Sequence, residues 1–194
     1  MKVSAGPATL LTRITALRIA LVPVVMGLVL EPDIVDHSFA LAAGLFAVAA
    51  VTDYLDGYLA RRWGATTALG SFLDTTADKL LVAGVLIALV GAGRASVWLA
   101  AVIIGREIVI LGLRGAVALD GLLMRPSLWG KAKATVQFGA IVLAILRPPV
   151  EVSPLLLDEW AMVVAAIVTV MSGAEYLTRF WEQLSGGGNE DGGA

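Results

Sequence analysis

Six long apolar stretches constrain this chain more than any other feature. They run over about residues 10–30, 38–60, 73–92, 95–119, 131–147 and 157–181. Each approaches the roughly 20 residues that a helix needs to cross a bilayer core of about 30 Å. Inside such a core only helices or closed barrels satisfy their own backbone groups. Breaks separate the stretches at "EPD" near 31–33, "WGATTALG" at 63–70, "GAGR" at 91–94, "DGLLMRPS" at 120–127 and "RPPVEVSP" at 147–154. The chain is 58% hydrophobic and 15% charged, whereas soluble domains run at roughly 45–50% and 25%. This pattern predicts an all-α integral membrane protein: one domain of six transmembrane helices over 1–184, then a disordered glycine-rich tail, "SGGGNEDGGA", at 185–194. The first stretch reads as a span and not a secretory leader, because Arg18 interrupts it and no small-residue cleavage pattern precedes "EPD".

Basic residues set the expected orientation. With a cytoplasmic amino terminus, that side receives Lys2, Arg13, Arg18, Arg61, Arg62, Lys79, Arg106, Arg114, Arg125, Lys131, Lys133 and Arg179. The other side receives Arg94 and Arg147, beside Glu31, Asp33, Asp36, Glu151, Asp158 and Glu159. Both termini are therefore expected in the cytoplasm, with the protein in the inner membrane. The net charge of −2 identifies no partner, and none is expected among nucleic acids. The absence of cysteine removes disulfides and thiolate chemistry.

Against this apolar background, "DYLDGYLARRWGATTALGSFLDTTADK" at 53–79 concentrates Asp53, Asp56, Asp74 and Asp78. Residues three and four apart share a helix face. Asp53, Asp56, Gly57, Ala60 and Arg61 make one stripe, and Gly70, Asp74 and Asp78 a second. Two antiparallel helices joined by a short loop would bring the stripes together at a wet membrane face. Converging carboxylates repel and hold their protons unless cations neutralise them. Oxygen ligands without Cys or His neighbours favour Mg²⁺, Mn²⁺ or Ca²⁺ over zinc. The plain alternative is a helix end salt-bridged by Arg61, Arg62 and Lys79. His37, on the far side, reads as a loop or interface residue.

The full spacing Asp53-x2-Asp56-Gly57-x2-Ala60-Arg61-x8-Gly70-x3-Asp74-x3-Asp78 matches every fixed position of a known signature. At average residue frequencies such a match arises about once in 10⁷ chains of this length. On these residues the chain resembles the CDP-alcohol phosphotransferase family over nearly its whole length. The resemblance implies that family's six-helix fold, a homodimer, and catalysis with Mg²⁺ or Mn²⁺, expected as two ions. Asp53, Asp56, Asp74 and Asp78 would hold metal, with Asp78 also the catalytic base. Gly57, Arg61 and Gly70 would lie against the CDP group. Thr15 and Arg18 also fit a nucleotide-contacting pattern near the first helix, whereas Thr12 stands where relatives carry Asn. Thr75 replaces a common proline and lies outside the signature.

Within the family, "TDYLDGYLARRW", "GREIVILGLRG" at 105–115 and "WGKAKATVQ" at 129–137 look most like one branch. Its members transfer a phosphatidyl group from CDP-diacylglycerol to sn-glycerol 3-phosphate, giving phosphatidylglycerophosphate and CMP. Arg106 and Arg114 share a helix face, and Lys131 and Lys133 open the next helix. Cations this close to hydrocarbon need an anion, and an acceptor phosphate is a suitable one. Otherwise Arg106 pairs with Glu107 or snorkels, and the lysines answer anionic lipid. Inositol phosphate or phosphatidylglycerol, the latter giving a cardiolipin synthase, are the competing acceptors. A cation transporter is the reading from another class, although neither repeats nor broken helices are visible. Glu175-Tyr176 projects an acid from the cytoplasmic end of the sixth helix, either as a structural group or as a border of the acceptor site. Gly84, Gly91, Ala95 and Ala100 would permit close helix packing.

Overall fold

A computed structural model describes the backbone of residues 7–63, 68–119 and 128–186 and the side chains of 14–53, 72–117, 130 and 132–182. The described chain is all-α apart from one small hairpin. Its helices are α1 (Pro7–Leu30), α2 (Ser38–Trp63), α3 (Ala68–Gly91), α4 (Val97–Leu119), α5 (Leu128–Leu146) and α6 (Leu157–Gly186). Each covers one of the expected stretches. Several run further than hydropathy indicates at their polar ends, α2 to Trp63 and α6 to Gly186, because charged Arg and Glu sustain a helix as well as Leu does. Residues 120–127 and most of the tail lie outside the described residues.

The turns follow local chemistry. Proline opens α1 at its first position, where a missing N–H leaves nothing unsatisfied. After α3, Gly93 takes φ +67°. Its N–H bonds to the carbonyl of Val90 at 3.1 Å while that of Arg94 bonds to Leu89 at 2.8 Å. These bonds form a Schellman motif, which stops the helix at a residue without a Cβ. Between α5 and α6 the chain makes a hairpin that the sequence reading does not anticipate. It pairs β1 (Glu151–Val152) with β2 (Leu155–Leu156) in antiparallel register.

Helix packing differs from the simple hairpin of α2 and α3. Those helices touch each other little, and α1 packs against both. α5 lies along α6, α4 on α6 and α3, and α2 on α5. The buried core joins Val25 and Val29, Phe46, Leu81, Val85, Leu86 and Leu89, Ile103, Ile141 and Ile145, and Met162. Phe46 and Phe138 meet with ring centroids 5.6 Å apart. Arg94 and Arg147, the two cations expected on the far side, knot the ends of four helices. Arg94 donates to the carbonyl of Ile145 at 2.8 Å and lies 3.5 Å over the Phe39 ring. Arg147 donates to the carbonyl of Gly93 at 2.9 Å and sits 3.5 Å from Glu159.

The small residues expected to permit close packing do so inside the chain. A Cβ on Gly84 would meet Val22 Cγ1 at 2.6 Å, and one on Gly91 would meet Leu30 Cδ2 at 3.0 Å. Ala100 is buried in the core and Ala95 packs against it. Gly84 and Gly91 bring α3 onto α1. Gly84→Val is therefore expected to lower stability by about 1–3 kcal/mol, the usual range for overpacking. A thermal midpoint in detergent unchanged from wild type would contradict that close approach.

Candidate active site

One end of the bundle gathers charge from five helices. Arg18, buried on α1, reaches between α2 and α3: its Nη1 lies 2.5 Å from Asp53 Oδ1 and 3.0 Å from Asp74 Oδ1. One nitrogen thus meets carboxylates from two helices, hydrogen-bonded to Asp74 and in a close ion pair with Asp53. α1 can hold that nitrogen there because it is the helix packed against both. Thr15 is buried one turn earlier on α1.

A second network begins one turn along α3. Lys79 binds the neighbouring Asp78 at 2.7 Å and Glu107 of α4 at 2.8 Å. Glu107 also receives the ammonium of Lys133 from α5. Arg106 lies 3.5 Å from the same carboxylate and donates more firmly to Ser172 Oγ on α6 at 2.9 Å. Glu107 is 5% exposed, so three cations converge on a carboxylate almost wholly removed from water. Sequence reasoning treats Glu107 only as a possible partner for Arg106. Its role as a hub was not visible, because Lys79 and Lys133 are 28 and 26 residues away along the chain. A charged Glu inside an apolar helix was the available signal.

The expected acceptor residues therefore separate. Arg106 and Lys133 share the Glu107 carboxylate, whereas Arg114 is exposed two turns beyond Arg106 on α4. Asp56, Gly57 and Arg61 fall within α2, Gly70 within α3 and Lys131 within α5, and the side chains of all five lie outside the described residues. Among the described residues no group of three or more acidic or His side chains stands ready for a metal ion.

Electrostatically the site has two poles. Among the described residues, two carboxylates face one cation around Arg18. Around Glu107, the cations Lys79, Lys133 and Arg106 outnumber the carboxylates Asp78 and Glu107. α3 carries the junction between the poles, since Asp74 belongs to one and Asp78 to the other. An anionic pole suits a positively charged ligand group, and a cationic pole suits a phosphate.

Comparison with known proteins identifies the framework that carries these poles. The CDP-alcohol phosphatidyltransferase family matches residues 9–171, most of the chain. This chain belongs to that family. Among curated relatives of the CDP-alcohol phosphatidyltransferase, the CDP-diacylglycerol–glycerol-3-phosphate 3-phosphatidyltransferase of Bacillus subtilis is 39% identical over 183 residues, covering 89% of this chain and 95% of its own. The protein of that name from Pseudomonas fluorescens is 40% identical over 185 residues, covering 92% and 93%. That of Yersinia enterocolitica is 39% identical over 152 residues, covering 74% and 80%. As in the rest of this enzyme family, the chemistry is transfer of a substituted phosphate.

Proposed function

We propose that this chain transfers a phosphatidyl group from CDP-diacylglycerol to the hydroxyl of sn-glycerol 3-phosphate, releasing phosphatidylglycerophosphate and CMP. The relatives that align over most of the chain carry the name of this reaction. The observation that carries the reading is the two-pole site. With divalent cations held at the Asp53–Asp74 pole the donor's diphosphate would lie there, and the acceptor's phosphate would lie beside Arg106 and Lys133, with Arg114 and Lys131 as further contacts expected from the sequence.

The metal fits the residues present. Asp53 and Asp74 present oxygens to a single point that a guanidinium nitrogen fills, and oxygen-only donors suit Mg²⁺ or Mn²⁺. Asp53, Asp56, Asp74 and Asp78 would hold the ions, expected as two from the family resemblance. Bound there, divalent ions supply charge neutralisation to the diphosphate and to departing CMP. Arg18, released from its bridge, would turn to the nucleotide phosphates with Thr15, Gly57, Arg61 and Gly70 around the CDP. Asp78 takes the acceptor's hydroxyl proton. The acceptor oxygen then bonds the phosphorus of the phosphatidyl group as that phosphorus separates from CMP. Lys79, held by Glu107, fixes the Asp78 carboxylate at the junction of the poles.

A lipid donor requires a membrane site. The segment Leu157–Glu182 is 26 residues long and apolar enough to span, while Ile14–Leu30, Ser38–Asp53 and Ala132–Leu146 are shorter apolar helices. α3 and α4 carry the site's charges within their apolar runs, which breaks their hydropathy without preventing a span. Val48, Ile87, Ile108, Ile167 and Val170 stand more than half exposed on α2, α3, α4 and α6, as side chains facing hydrocarbon would. Trp160 and Trp181, both exposed, mark the two ends of α6 at a separation of about 30 Å, the thickness of a hydrocarbon core. These features support a membrane-embedded bundle; the six-span arrangement in the inner membrane, with the site and both termini on the cytoplasmic side, rests on the six apolar stretches and the basic-residue asymmetry of the sequence.

The direct test supplies CDP-diacylglycerol with labelled glycerol 3-phosphate, inositol phosphate or phosphatidylglycerol and follows CMP release. Glycerol 3-phosphate is expected to be the acceptor used, with chelation stopping the reaction and Mg²⁺ or Mn²⁺ restoring it. Turnover that persists in chelator would remove the ligand roles of the aspartates. CMP release with only one of the other acceptors would reassign the substrate.

A further inference from the structure

The last turns of α6 carry polar groups that this reaction leaves without a task. Ser172, Gly173 and Tyr176 lie beyond the end of the family match at residue 171. Arg106 lies against them. Its Nη2 donates to Ser172 Oγ at 2.9 Å. Its stem runs over Gly173, where an added Cβ would stand 3.2 Å from Arg106 Cγ and 3.6 Å from Nε. Three residues on, and so on the same face of the helix, the hydroxyl of Tyr176 is buried without a hydrogen-bond partner, as is Arg106 Nε. That hydroxyl sits in the electrostatic field of both Arg106 and Arg114. The adjacent Glu175 is occupied through Oε1 by Arg179 at 2.6 Å, with its Oε2 buried and unbonded.

Buried donors are nearly always met in a folded protein. Here Arg106 Nε–H and Tyr176 O–H stand unmet on neighbouring elements, in a field made positive by two guanidinium groups. Their natural complement is a ligand rich in acceptor oxygens and negatively charged. A phosphate monoester dianion has that chemistry, since it offers acceptors and no donors.

We propose that Tyr176 is a specificity-determining residue for the acceptor: its hydroxyl, with Arg106 and Arg114, closes the phosphate socket from α6. This rests on the phosphorylated-acceptor reading above and gives Tyr176 a specific task where the sequence left Glu175-Tyr176 between a structural role and the border of the acceptor site. Gly173 gives the Arg106 stem room beside Tyr176, since a Cβ there would press on Arg106 Cγ at 3.2 Å.

Tyr176→Phe removes one oxygen and leaves the ring packing in place. Wild type and variant would be compared by CMP release at saturating CDP-diacylglycerol against glycerol 3-phosphate, with inorganic phosphate as a competitor. The acceptor KM is expected to rise roughly 10- to 100-fold, as for losing a hydrogen bond to a charged group, and inhibition by inorganic phosphate to weaken in parallel. The KM for CDP-diacylglycerol and the kcat are expected to stay near wild type. An unchanged acceptor KM with normal wild-type turnover would overturn the role of Tyr176 and leave the reaction assignment standing. A loss of kcat alone would also overturn it, since that outcome places the hydroxyl outside the binding step. Wild-type turnover that needs an unphosphorylated acceptor and ignores inorganic phosphate would overturn both readings.

Discussion

Asp78→Asn is expected to abolish phosphatidyl transfer while the protein still folds. Asparagine keeps the shape of aspartate but cannot accept the acceptor's proton, and a positioned base contributes about 10²–10⁴-fold to rate. Folding should survive because Lys79 retains its second carboxylate, Glu107, at 2.8 Å. Asp78 is only partly buried, so the exchange leaves no enclosed charge without water. CMP release measured on detergent-purified variant, alongside its thermal midpoint, separates these effects. Turnover near wild type would remove Asp78 as the base. Activity recovered simply by raising the metal concentration would assign it to metal binding instead.

The largest stability effect is expected at Glu107. Removing its charge with Glu107→Gln leaves Lys79, Lys133 and Arg106 crowded around a neutral amide in the interior of the bundle. Breaking a buried ion pair from one side typically costs about 3–5 kcal/mol, much of it from the stranded partner. Lys133 is the most enclosed of the three, and it has the Glu107 carboxylate as its ion-pair partner. Glu107→Gln combined with Lys133→Met should therefore recover a substantial part of the lost stability, because an apolar side chain of similar length replaces the stranded ammonium. A midpoint shift of the double variant equal to the sum of both singles would show that the two side chains are not coupled. Activity should fall in the single variant too, since Lys79 then leans wholly on Asp78.

These two residues mark different depths of legibility. Asp78 stands in a local pattern: fixed spacing on two helices adjacent in sequence carries the whole signature, and spacing is a one-dimensional property. Glu107 has no such pattern. Its partners come from α3 and α5, and nothing along α4 reports which cations will arrive. The hairpin at Glu151–Leu156 was hidden for a related reason, because two-residue strands carry too few positions for alternation to register.

Hydrophobic periodicity and length determined six helices and their order, because a helix satisfies its own backbone and its apolar run can be counted without knowing its neighbours. The types of residue at the site were equally readable, since charge in an apolar chain is conspicuous. Which helices touch was a matter for the tertiary structure alone. α1 lies against both α2 and α3, so Arg18 rather than a loop joins Asp53 to Asp74, and Gly84 and Gly91 bring α3 onto α1. Such pairings depend on side-chain shape and charge at long sequence separation, and the division of the site into an anionic and a cationic pole follows from them.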